Sequence, residues 1–150
     1  MKQLLWPALA LATMSTPAVA QLVETVPSVG SVTAEYYYRI KWGSHDEFKR
    51  LYERNHAPIM REMQKQGFVL RMEVEEPFTH LGGGVRWDLR VTVTYRDAAS
   101  AVLGSRFDKA FSDAEARLYP DKAKFTAEEA RRFSLLEDHW DVIVTPVAPK

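Results

Sequence analysis

Four stretches of the chain alternate apolar and polar side chains with period two, the pattern of a half-buried strand. In Glu35 to Trp42, Tyr36, Tyr38, Ile40 and Trp42 alternate with Glu35, Tyr37, Arg39 and Lys41, and Gly43 closes the run. Phe68 to Glu75 sets Leu70, Met72 and Val74 against Arg71, Glu73 and Glu75. The clearest alternation is Trp87 to Tyr95, where Trp87, Leu89, Val91, Val93 and Tyr95 interleave with Asp88, Arg90, Thr92 and Thr94. Trp140 to Val147 puts Trp140, Val142 and Val144 on one face, and Pro146 marks it as an edge strand, because proline cannot donate to a ladder.

Between these runs the apolar period changes to that of a helix. Ser44 and Glu47 have the spacing of a capping box, and Phe48, Leu51, Tyr52, Ile59, Met60 and Met63 follow at helical intervals up to Gly67, a left-handed stop. Pro58 interrupts that helix. It lacks an amide and crowds the carbonyl of Arg54, so the helix either kinks or restarts with Pro58 in its first turn. Asp97 caps a second helical region carrying Val102, Phe107, Phe111, Ala114 and Leu118, which Tyr119-Pro120-Asp121 breaks. Thr126 and Glu129 then predict another capping box, with a helix running through Phe133 and Leu136 to about Asp138. Gly82-Gly83-Gly84 reads as a mobile connection. The order is β-α-β-β-α-β: an α+β, ferredoxin-like fold, with a four-stranded antiparallel sheet, helices on one face, and the second helical region split in two.

The N-terminus has a different pattern. Lys2 precedes an apolar run from Leu4 to Met14, and Ser15 to Ala20 ends in Ala18-Val19-Ala20, the small-x-small pattern of a signal-peptidase site. The run is about half the ~20 residues needed to cross a bilayer. Residues 1–20 are therefore expected to be a cleaved signal peptide, 21–34 a flexible lead-in and 35–147 the folded domain, placed in the periplasm or secreted. Removing twenty residues from 150 leaves 130, one ordinary domain. Without Lys2 the chain has 19 basic and 20 acidic residues. That balance lacks the basic excess that nucleic acid or an anionic membrane surface selects, so neither is an expected partner, and no membrane association is expected after signal cleavage. The absence of cysteine removes disulfides, thiolate zinc sites and cysteine nucleophiles.

Within the first helix, Phe48-x3-Tyr52-x3-His56-Ala57-Pro58 after a strand resembles the EthD and NIPSNAP-like branches of the dimeric α/β-barrel superfamily, over roughly Glu35 to Val147. The resemblance implies a homodimer in which two sheets pack face to face, and a pocket in each subunit between sheet and helices. It also implies a choice among cofactor-free oxygenases, small isomerases, haem proteins and chains without known activity; fold alone does not decide between them. The sheet face away from the helices is expected to carry Glu35, Tyr37, Arg39, Lys41, Arg71, Glu73, Glu75, Asp88, Arg90, Thr92, Thr94, Asp141, Ile143 and Thr145, either solvated with cross-strand ion pairs or buried in the dimer.

His56 is the leading chemical candidate. It lies one turn after Tyr52 beside the proline irregularity, and imidazole suits a proton shuttle; the bland alternative is a boundary histidine bonded to a carbonyl freed by Pro58. Tyr36, Tyr38, Trp42, Trp87 and Trp140 are expected to face the helices, first of all as core. If a cavity remains there, Tyr38, Tyr52, Trp87 and Asn55 are the candidate ligand-binding residues, with Asn55 alternatively stabilising the kink. His45 and His56 stand about 16 Å apart along a helix, too far to share a metal, and no other histidine pair has ligand spacing, so neither metal nor cofactor is assigned. The leading reading is an exported homodimer that binds a small apolar or aromatic molecule. The alternatives are a cofactor-free oxygenase or isomerase with His56 as base, and a non-catalytic interaction protein.

Overall fold

The computed structural model describes residues 30–79, 81–102 and 105–145. The signal-peptide reading, most of the lead-in, His80, Pro146 and Val147 lie outside them. Strands β1 (Val32–Ile40), β2 (Val69–Glu75), β3 (Leu89–Tyr95) and β4 (Leu136–Val144) form one antiparallel sheet in the order β2-β3-β1-β4. With the helices between β1 and β2 and between β3 and β4, this is the ferredoxin-like arrangement. The two central strands place Ala34, Tyr36 and Tyr38 opposite Val93, Val91 and Leu89, on the face the helices cover. In β3 every second residue is buried, so its alternation translates directly into one dry face.

The first helical passage is α1 (His45–Leu51), a π-helical turn (Tyr52–His56) and α2 (Ala57–Lys65). The backbone stays right-handed helical throughout, and the amide of Ala57 reaches back five residues to the carbonyl of Tyr52. Pro58 therefore sits in the first turn of α2 without a chain break, because the wide turn absorbs its missing amide. The carbonyl that Pro58 leaves free, that of Arg54, accepts a hydrogen bond from Tyr119 Oη at 2.6 Å. Gly67, with φ +74°, ends α2 as expected.

The second helical region is α3 (Ala98–Val102), α4 (Ser105–Leu118) and α5 (Lys122–Ser134), with the expected break at Tyr119-Pro120-Asp121 between α4 and α5. Asp97 caps α3 by accepting from the amide and hydroxyl of Ser100, both at 2.8 Å. Neither expected capping box forms. Ser44 makes no cap bond, and Glu47 instead receives Arg131 at 2.9 and 2.8 Å. Asp121, not Thr126, caps α5 through the amide of Lys124, while Glu129 clamps Arg132. In both cases an arginine of α5 offers the glutamate a charge-assisted bond, roughly twice as strong as a neutral one. α5 accordingly starts and ends early, and β4 begins at Leu136, so Asp138 belongs to the strand.

Three expectations about facing also change. Trp140 pairs with Tyr37 and stacks on it at 5.3 Å, and Val142 and Val144 pair with Glu35 and Thr33, so this row lies on the face away from the helices. His139, opposite Tyr38, takes the helix side. A one-residue phase flips every side chain of a strand, and the alternation reads equally well in either phase. Trp42 follows the end of β1 and is 78% exposed under the guanidinium of Arg86. At the other edge, a register shift between Val69 and Arg71 gives Val69 the core position and leaves Leu70 exposed.

Candidate functional site

A cavity of ≈230 Å³ lies between the sheet and the helices. Tyr36, Tyr38, Val91 and Val93 form its sheet wall, because these positions alternate onto the helix-facing side of β1 and β3. The first helical passage adds Tyr52, His56 and Met60, while Phe107 and Phe111 of α4 and Phe133 of α5 complete an aromatic lining. Such a space, with an aromatic and aliphatic wall set with the polar tips of tyrosines, histidines and Arg132, has the usual form of a small-molecule site. A second cleft of ≈260 Å³ opens at the sheet end beside Trp42 and Phe78, but both side chains face solvent, so it desolvates a ligand poorly.

His56 projects from the π-helical turn, with its ring 5.4 Å from that of Tyr52 and 6.1 Å from that of Phe111. Burial among these rings pushes its pKa from 6.5 down to about 4; the charge of Arg132 and the proximity of His139 act the same way, and Glu129 opposes them. It is therefore neutral at pH 7. Tyr119, not His56, takes the freed carbonyl of Arg54, and among the described residues His56 has no hydrogen-bond partner. Tyr38 stacks on His139 at 4.4 Å, and burial pushes its hydroxyl up to about 12 despite the nearby Arg132 charge. Burial raises Tyr52 and Tyr95 further still. Tyr95 and Tyr36 share a hydrogen bond of 2.7 Å.

Of the sequence-predicted site residues, the fold brings Tyr38, Tyr52 and His56 to one cavity and leaves two outside it. Trp87 precedes β3, which starts only at Leu89 because Asp88 turns in to accept the amide of Ile40 at 2.7 Å. Its ring packs against Tyr37 at 6.0 Å, on the opposite face of the sheet. Asn55 is 1% exposed inside the π-helical turn, but it does not line the cavity.

Arg132 was not anticipated. It is 2% exposed, on the inward face of α5, and grips Glu129 through Nε (3.0 Å) and Nη2 (2.6 Å). Its guanidinium carbon lies 4.5 Å from the Phe133 ring centre and 5.9 Å from that of Tyr52, within cation–π range. Nη1 of Arg132 and Oη of Tyr52 are buried with no partner among the described residues. The sequence did hold a trace of this. Glu129 and Arg132 stand at i,i+3, a pair that shares a helix face, and Phe133 beside them belongs to the apolar stripe.

No family model matches the sequence, and no curated protein matches it. Solved structures with a similar fold include an EthD family protein from Bacillus halodurans (19% identity, 78% of this chain and 99% of that one, TM-score 0.46). A NIPSNAP family protein from Agrobacterium tumefaciens is 14% identical over 78% of this chain and 93% of its own, with a TM-score of 0.40. A dimeric ferredoxin-like protein from an uncultured marine organism is 5% identical over 81% and 94%, with a TM-score of 0.49. The likeness to these proteins is one of fold.

Proposed function

We propose that the protein is an exported homodimer that holds a small apolar or aromatic molecule between its sheet and its helices. One observation carries the reading: the ≈230 Å³ space beside His56 is walled by valines, phenylalanines and tyrosines that a fully packed core would have closed. The dimer reading draws on the outer sheet face, where Trp140, Val142 and Val144 form an apolar row along the edge strand β4, separated by β1 from the ion pair of Arg90 and Glu75. Such a row suits a second sheet better than water does.

Catalysis by His56 is the second reading, supported by its place in the cavity wall. An imidazole whose conjugate acid has a pKa of about 4 is unprotonated at neutral pH but correspondingly weak as a base. Binding is therefore preferred over proton abstraction. A pure interaction protein needs no interior space at all.

The test is to fill the space. Val93→Phe projects a ring from the sheet wall into the cavity; into empty space this costs little stability, whereas overpacking a filled core costs about 1–3 kcal/mol. Naphthalene binding, followed by its fluorescence, is expected for the wild type and lost in the variant, with thermal unfolding nearly unchanged. Equal binding by both proteins would sink the assignment of the cavity.

A further inference from the structure

Resting on the pocket proposed above, we infer that its ligand is an uncharged molecule with an apolar, ring-sized body and one carbonyl-type acceptor oxygen, received by Nη1 of Arg132 and Oη of Tyr52. Both residues are 2% exposed, both line the same cavity, and neither polar atom has a partner at hydrogen-bond geometry among the described residues, although the hydroxyl of Tyr38 stands near the Arg132 guanidinium. A buried donor without an acceptor is costly, and native proteins rarely leave one without a reason. Asn55 also has unpartnered buried atoms, but only Tyr52 and Arg132 belong to residues of the cavity wall, where a small side-chain movement would bring both donors to an occupant's oxygen.

The charge balance narrows the class. Glu129 already neutralises Arg132 through two bonds, so the pair presents donor hydrogens without net charge. A carboxylate ligand would add an uncompensated negative charge to a space walled by Val91, Val93, Phe111 and Phe133, where an unpaired ion is expensive. The other titratable groups facing the space are His56, Tyr36, Tyr38, Tyr95 and His139, none of them a fixed cation. A neutral carbonyl satisfies both donors and adds no charge.

Three bicyclic probes of nearly equal shape test this on the full-length mature protein: 2-acetylnaphthalene, its hydrocarbon analogue 2-isopropenylnaphthalene, and the 2-naphthoate anion. The ketone is expected to bind at least about tenfold more tightly than the hydrocarbon, the discrimination expected when a site's donors would otherwise stay unpaired. 2-Naphthoate is expected to bind more weakly than the ketone. Tyr52→Phe removes only the unpartnered hydroxyl. It should weaken the ketone several-fold, leave the hydrocarbon unchanged, and hold or raise the melting temperature of the unliganded protein, a combination that a merely structural tyrosine would not give. The paired change Glu129→Gln with Arg132→Met should abolish the remaining preference; if that protein does not fold, the wild-type comparison and Tyr52→Phe decide. Equal affinity for ketone and hydrocarbon, or tighter binding of 2-naphthoate, overturns the inference while the pocket stands. Failure of all three probes to bind removes the pocket reading together with it.

Discussion

Replacing His56 with leucine should flatten the acid side of the protein's stability profile. In the folded protein, burial holds the imidazole at about 4, whereas in the unfolded chain it returns to its ordinary 6.5. Above the unfolded value both states are neutral and pH has no effect through this group. Between 6.5 and about 4 only the unfolded chain takes up the proton, so stability falls as pH falls, by about 1.4 kcal/mol per pH unit. The full window is worth about 3 kcal/mol, and the part between about pH 7 and pH 5 about 2 kcal/mol. Urea unfolding of both proteins across that range measures it. The wild type should lose about 2 kcal/mol more than His56→Leu. Glu62, held low by Lys65 and Arg117, and Glu47, held low by Arg131, lose their contributions only at lower pH and do so in both proteins, so the difference isolates the histidine. Parallel profiles, within about 0.5 kcal/mol, would mean that the ring is solvated when folded and that the cavity wall is drawn wrongly there.

Two further outcomes follow from the packing. Tyr119→Phe removes the bond to the Arg54 carbonyl and should cost about 1 kcal/mol by chemical denaturation, but less in a Pro58→Ala background, where the new amide competes for that carbonyl; strict additivity would contradict this account of the π-helical turn. Native mass spectrometry should find twice the protomer mass, with Val142→Lys shifting the population to single chains, and a wild-type monomer would remove the dimer.

The layout of the fold was legible because two of its signals are hard to counterfeit. Alternation in Leu89 to Tyr95 has only one reading as a strand, and the change of period after Gly43 marks a helix. The phase of β4 was not legible. Trp140-x-Val142-x-Val144 alternates identically whichever face it joins, and only the stacking of Trp140 on Tyr37 decides. The capping boxes at Ser44 and Thr126 failed for a related reason: local sequence cannot show that Arg131 and Arg132 will claim Glu47 and Glu129. For the cavity, Tyr38, Tyr52 and His56 were found because each lies on an inward stripe. Trp87 was misplaced because Asp88, beside it, turns in to Ile40 and delays the start of the strand to Leu89. Arg132 was missed because a charged residue on a helix is ordinarily solvated, and its burial depends on Phe48, Tyr52 and Phe133 closing around it.

The central claim is that a ligand enters between sheet and helices. Methyl-labelled NMR of the protein titrated with 2-acetylnaphthalene tests it most directly. Intermolecular contacts to the methyls of Met60, Val91 and Val93 are the predicted result. Contacts confined to the outer cleft beside Trp42 and Phe78, or a methyl spectrum that the ketone leaves unmoved, would contradict it.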